Sequence, residues 1–172
     1  MKLRLLRDMI LLYIGYSGID VSKVDCLVYF FQKFGFSMKY KFQISTCGVY
    51  SKGLHTIIDE LISTGDIVIV DKKYRCSTRG DMRLDKMCVD YAEYEIMEYL
   101  CTEVSKLSKD DLDMLTIIDM IFNDIKTERG IQALVDERDT IEKMVGNVCK
   151  TYSPSRFNNL SGFLSKLERR FK

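Results

Sequence analysis

The chain has 172 residues, 47 % of them hydrophobic and 30 % charged, with a formal net charge of +1. That composition is ordinary for a globular protein and suits one domain or two small ones. No apolar run approaches the roughly 20 residues of a membrane helix, so no membrane partner is expected. Charge is unevenly spread. Residues 1–80 carry 12 basic and 7 acidic side chains, residues 81–144 carry 8 and 17, and residues 145–172 carry 6 and 1. Such asymmetry predicts two regions with different surface duties.

Leu3, Leu6, Ile10, Leu11 and Ile14 recur at helical spacing and predict an amphipathic first helix. A signal peptide is the alternative for Met1–Ile14. Asp8 interrupts its pattern and no small-residue cleavage site follows, so a cytoplasmic protein is expected. Asp20 or Ser22 caps a second helix that runs to Phe34, with Val24, Leu27, Val28 and Phe31 on its buried stripe. Tyr40, Phe42 and Ile44 alternate with polar residues and predict a half-buried strand over 40–45. Ser51 caps a third helix over 52–63 that ends at Gly65. Ile67–Val70 and Lys73–Cys76 then form a hairpin whose turn, Asp71-Lys72, lacks the glycine such turns prefer.

Beyond Gly80 the pattern turns helical. Leu84, Met87, Tyr91, Tyr94, Met97, Cys101 and Val104 predict one long helix from 84 to 107. Its tyrosine and methionine stripe makes a homodimer seam through residues 84–107 an expectation beside plain core packing. Ser108 and Asp111 form a capping box for the next helix, which runs to about Lys126 and ends before Gly130. A helix over 131–149 follows. Ser153-Pro154 then opens the last helix, which carries Phe157, Leu160, Phe163, Leu164 and Leu167. The expected fold is mainly α with a small β-hairpin: a winged-helix-like domain over 1–80, then an antiparallel helical bundle over 81–172.

The first half resembles the Panacea-type (SocA-like) antitoxin domain and related prokaryotic winged-helix-like proteins. The residues that carry the likeness are Leu27 to Phe30, Tyr40 to Phe42, Gly48, Tyr50, Ser51, Leu54, Leu61, Gly65 and Ile67. Cys47 and Val49 stand where the family usually has an aromatic residue and a proline. The resemblance implies a small intracellular prokaryotic protein, part of a defence or toxin–antitoxin system, and it supplies no active site. Gly48-Val49-Tyr50-Ser51 reads as a turn and a cap.

Six cysteines contain no C-x-x-C pair, and His55 is the sole histidine. Zinc sites need clustered ligands at short spacing, so no metal or cofactor is expected. The thiols read as free, with a pair between distant cysteines left open. Nothing near His55 in sequence partners it for catalysis, and no Gly-rich phosphate loop is present, so the chain reads as a non-enzyme. The candidate nucleic-acid-binding residues are Lys72, Lys73, Arg75, Arg79 and Arg83, on and just after the hairpin. Basic side chains there would meet phosphates of DNA or RNA. The opposing reading is a solvated hairpin whose lysines discourage edge pairing. The third helix offers Lys52 and His55 but also Asp59 and Glu60, which argues against base reading in the major groove. Two functions therefore stand as expectations: a regulatory protein contacting nucleic acid through a basic wing, or an antitoxin-like module that binds a protein partner.

Overall fold

The computed structural model describes residues 2–87, 91–129, 138–149 and 151–171. It is mainly helical (69 %) with two small antiparallel hairpins. The chain divides into two compact units, Met1–Gln43 with Tyr50–Leu107, and Ile44–Val49 with Ser108–Lys172.

In the first unit the elements are α1 (Lys2–Ser17), α2 (Val24–Lys33), α3 (Lys52–Ser63), the strands β3 (Ile67–Val70) and β4 (Lys73–Cys76), α4 (Thr78–Leu84) and α5 (Tyr91–Thr102). Strands β1 (Gln43–Ser45) and β2 (Gly48–Tyr50) make a separate small hairpin. The core is built where the apolar stripes predict it. Ile10, Leu11 and Ile14 of α1, Leu27, Val28, Phe30 and Phe31 of α2, and Leu54, Ile58 and Leu61 of α3 are all buried. Each such side chain contributes about 1.5–3 kcal/mol through its removal from water. Helix α1 lies against β4. Gly15 allows that approach, since a Cβ there would sit 3.1 Å from the Cys76 backbone nitrogen.

The strand over 40–45 starts only at Gln43. Upstream, the Gln32 side chain takes the place of a strand partner: its Oε1 accepts from the Tyr40 N–H at 2.7 Å and its Nε2 donates to the Tyr40 carbonyl at 3.2 Å. Nor is 84–107 one helix. Helix α4 stops at Leu84, where Lys86 and Met87 donate to the carbonyls of Arg83 and Leu84 in tight three-residue turns. Helix α5 stops at Thr102 and passes into a 3-10 turn at Val104–Lys106. The hydroxyls of Thr102 and Ser105 bond back to the carbonyls of Glu98 and Cys101 there, which competes with regular helix. Of the expected stripe, Tyr91 and Tyr94 stay exposed. Met97, Leu100, Cys101 and Val104 are buried within the unit, where α5 packs on α1 and α2. Helix α5 falls in the compact unit that includes Tyr50–Leu107.

The second unit contains α6 (Lys109–Arg129), α7 (Arg138–Val148) and α8 (Pro154–Phe171). The Asp111 N–H donates to Ser108 Oγ at 3.1 Å and the Ser108 hydroxyl donates to Asp111 Oδ2 at 2.7 Å, so the α6 cap forms as its sequence predicts. The Arg156 N–H donates to Ser153 Oγ at 3.3 Å and caps α8, with Pro154 at its first position. Leu112, Leu115 and Ile118 of α6 and Leu160, Leu164 and Leu167 of α8 are buried, as are Ile141 and Val145 of α7. The expected helix over 131–149 is described from Arg138; residues 131–137, with Leu134, lie outside the described residues, as do Cys88 and Lys172.

Candidate nucleic-acid interface

Strands β3 and β4 pair antiparallel with Ile67 opposite Cys76 and Val70 opposite Lys73, so Asp71 and Lys72 alone make the turn. Both adopt left-handed backbone, φ 50° and 61°. That is the geometry a two-residue hairpin needs to match strand twist, here reached without glycine. On its other edge β4 meets a third segment. The Tyr74 N–H donates to the Ile19 carbonyl at 2.9 Å, the Val21 N–H donates to the Lys72 carbonyl at 2.9 Å, and Asp20 bridges Lys73 antiparallel. Strand β4 thus has β3 on one edge and the single Asp20 bridge, just ahead of the 3-10 turn Val21–Lys23, on the other, and Tyr74 alone in β4 is buried.

The five candidate cations fall into two sets. Lys72, Lys73 and Arg75 are exposed on the hairpin. Lys73 lies near Asp20, whose carboxyl is held below its ordinary range mainly by the Ser22 hydroxyl and amide, with Lys73 adding a smaller effect. The Arg75 guanidinium lies over Gly18 at the end of α1, where a Cβ would come within 2.5 Å of it. Arg79 and Arg83, on α4, instead surround Asp66, which is fully buried. Arg79 Nε is 3.1 Å from Asp66 Oδ1. Arg83 bridges Asp66 and Asp8, with 3.1 Å between its Nη2 and Asp8 Oδ2. Thr64 also donates its hydroxyl to Asp66 at 2.8 Å. A buried carboxylate is tolerable only with such partners, and Arg83, much less exposed than Arg79, carries most of that structural duty.

Helix α3, beside the hairpin in sequence, is tied at its start. Asp25, buried on α2, accepts the Ser51 N–H at 2.8 Å and faces His55 Nε2 at 2.8 Å. Tyr50 stacks on the His55 ring with centroids 4.8 Å apart. The same carboxylate and Asp59 help push the Tyr74 hydroxyl up to about 12, burial being the larger cause. Sequence reasoning left His55 unpartnered because its partner is 30 residues away. The available signal was Asp25 itself, a charge inside the apolar run Val24 to Val28; likewise Asp66 stands between Gly65 and buried Ile67. The exposed face of α3 carries Lys52, Thr56, Asp59, Glu60 and Ser63, a mixed set with no run of base-reading donors.

Among the described residues no group of three or more histidine, cysteine or carboxylate side chains is arranged to hold a metal ion, and no helix is long and apolar enough to cross a membrane. No known family, curated protein or solved structure matches the chain.

Proposed function

We propose that the first unit is a winged-helix-like module of a non-enzymatic regulatory protein, and that it contacts nucleic-acid phosphates through the β3–β4 hairpin. The observation that carries this reading is the pairing of Ile19–Val21 with β4. With that bridge standing in for the first strand of a winged helix, the order reads helix, bridge, helix, helix, hairpin, with β4 between the bridge and β3. In that arrangement α3 takes the position of a recognition helix and the hairpin is the wing. Lys72, Lys73 and Arg75 supply the phosphate contacts. Arg79 and Arg83 add to the field but stay on Asp66. The exposed acids Asp59 and Glu60 on α3 make the contact one of backbone charge, without base readout.

Fluorescence anisotropy of random duplex DNA and of single-stranded RNA tests it. Three phosphate contacts predict an affinity loss of roughly fortyfold between about 50 and 200 mM salt. Absence of binding at the lower salt overturns the reading.

A second reading, an antitoxin-like module that binds a protein, has its own support. Val68, Ile69 and Val70 on the outer strand β3 are 40 %, 53 % and 48 % exposed. Consecutive exposed aliphatic residues on a sheet edge invite strand addition by another chain. Capture of a specific protein by the wild-type chain, lost in Ile69→Lys, would support it; equal recovery by both would sink it.

A further inference from the structure

The geometry points to a binding site for an alkylammonium cation, of the quaternary or methylated kind, in an open pocket of the first unit between α1, α4 and α5. Three helices contribute lining pairs at three-residue spacing, which places both members on one face. Helix α1 gives Tyr13 and Tyr16, α4 gives Asp81 and Leu84, and α5 gives Tyr94 and Met97; Asp85 completes the rim. The space measures about 270 Å³.

All three tyrosines line the space. Tyr13 and Tyr94 meet edge to face with centroids 6.1 Å apart, and Tyr13 and Tyr16 are tilted at the same separation. Burial, then the hydrogen-bonded Tyr94, push the Tyr13 hydroxyl well above its ordinary range, so the ring stays neutral. Neutral aromatic faces attract cations through the ring quadrupole, and cages of such rings suit large, weakly hydrated ammonium groups. Core packing alone leaves the open form unexplained, because Tyr16 and Tyr94 remain 65 % and 43 % exposed.

Charge selects the sign of the ligand. Both ionisable groups of the lining other than the tyrosines are carboxylates, Asp81 and Asp85. The Asp81 side chain accepts a hydrogen bond from the neighbouring Cys76 thiol. The nearby Cys76 thiol, pushed up to about 12 by burial and by Asp81, stays protonated and leaves that charge in place. Buried Met97 gives an apolar floor, which suits methyl groups and penalises a strongly hydrated ion.

The test is titration of the full chain with choline, followed by tyrosine fluorescence, since the chain has ten tyrosines and no tryptophan. The neutral isostere 3,3-dimethylbutan-1-ol is the control. Saturable choline binding is expected, at least about tenfold tighter than the isostere. Tyr16→Leu and Asp85→Asn, at exposed positions that leave the melting temperature unchanged, should each weaken choline by about threefold or more. A peptide bearing trimethyllysine identifies the source of the cation. Binding tighter than choline assigns it to a protein side chain; weaker binding assigns it to a free small molecule. Failure to saturate, equal binding of the isostere, or no effect of Tyr16→Leu would overturn the assignment.

Discussion

Gly48 and Asp113 stand so close that a Cβ on Gly48 would overlap the Asp113 carboxylate. The glycine also holds a φ of +108°, a backbone conformation other residues avoid. The Val49 N–H next to it points to Asp113 Oδ1 at 3.4 Å, and Lys109 pairs with the same carboxylate. One acidic side chain on α6 thereby holds the β1–β2 turn within the second unit.

Gly48→Ala is therefore expected to destabilise the protein by about 2–4 kcal/mol, from overlap and backbone strain together. Asp113→Ala in the same chain should return part of that loss, because it removes the overlap but not the strain. Urea denaturation of the two single variants and the double variant measures the coupling. Simple additivity would show that the two residues do not meet.

Arg79 and Arg83 separate structural from surface charge. Arg83→Met leaves Asp66 buried with only Arg79 and Thr64 beside it, and is expected to cost about 3 kcal/mol. Arg79, 66 % exposed at its side chain, should cost about 1 kcal/mol or less on the same change. Equal losses would contradict the assignment of Asp66 chiefly to Arg83.

How far the sequence reaches is clear from particular elements. Helices α2, α3 and α8 and the β3–β4 hairpin follow local rules: a stripe, a capping serine, a turn, and each stands where its residues predict. The break between α4 and α5 does not, because an apolar period of three to four residues continues across it while backbone bonds at Lys86 and Met87 close the turn. The bridge between Asp20 and Lys73 has no signature in sequence, because it is a single residue pair formed only once α1 and β4 are in place. Asp25 with His55, and Asp66 with Arg83, depend on residues brought together from far apart. The three-tyrosine pocket likewise needs three helices in place before it exists.

Burial holds three thiols protonated. Cys76 and Cys101 are pushed up to about 12 and Cys149 to about 11, burial being the largest cause in each. In the unfolded chain the same thiols titrate near 9.0. Between that pH and the folded values the unfolded state binds fewer protons, so stability falls as pH rises and is insensitive to these groups below it. Melting temperatures should decline as pH rises above about 9.0, less steeply in Cys101→Ala once its own lower baseline is subtracted. Thiol labelling at about pH 8 should find exposed Cys47 first. Rapid labelling of Cys101 in the folded protein would contradict its burial.

Asp25→Ala should loosen the start of α3 by about 2 kcal/mol, since it strips the Ser51 N–H and His55 of their shared acceptor in a buried place. Amide hydrogen exchange over 51–55 reads this directly, with faster exchange expected there and little change in α8. Uniform acceleration across both units would point to global unfolding instead.

The most direct test of the wing assignment is salt-dependent anisotropy of random duplex DNA with the wild-type chain and with Lys72→Glu, Lys73→Glu and Arg75→Glu combined. The account predicts binding that weakens roughly fortyfold from about 50 to 200 mM salt and disappears in the triple variant while the melting temperature holds. Binding that is indifferent to salt, or that survives the three changes, would contradict it.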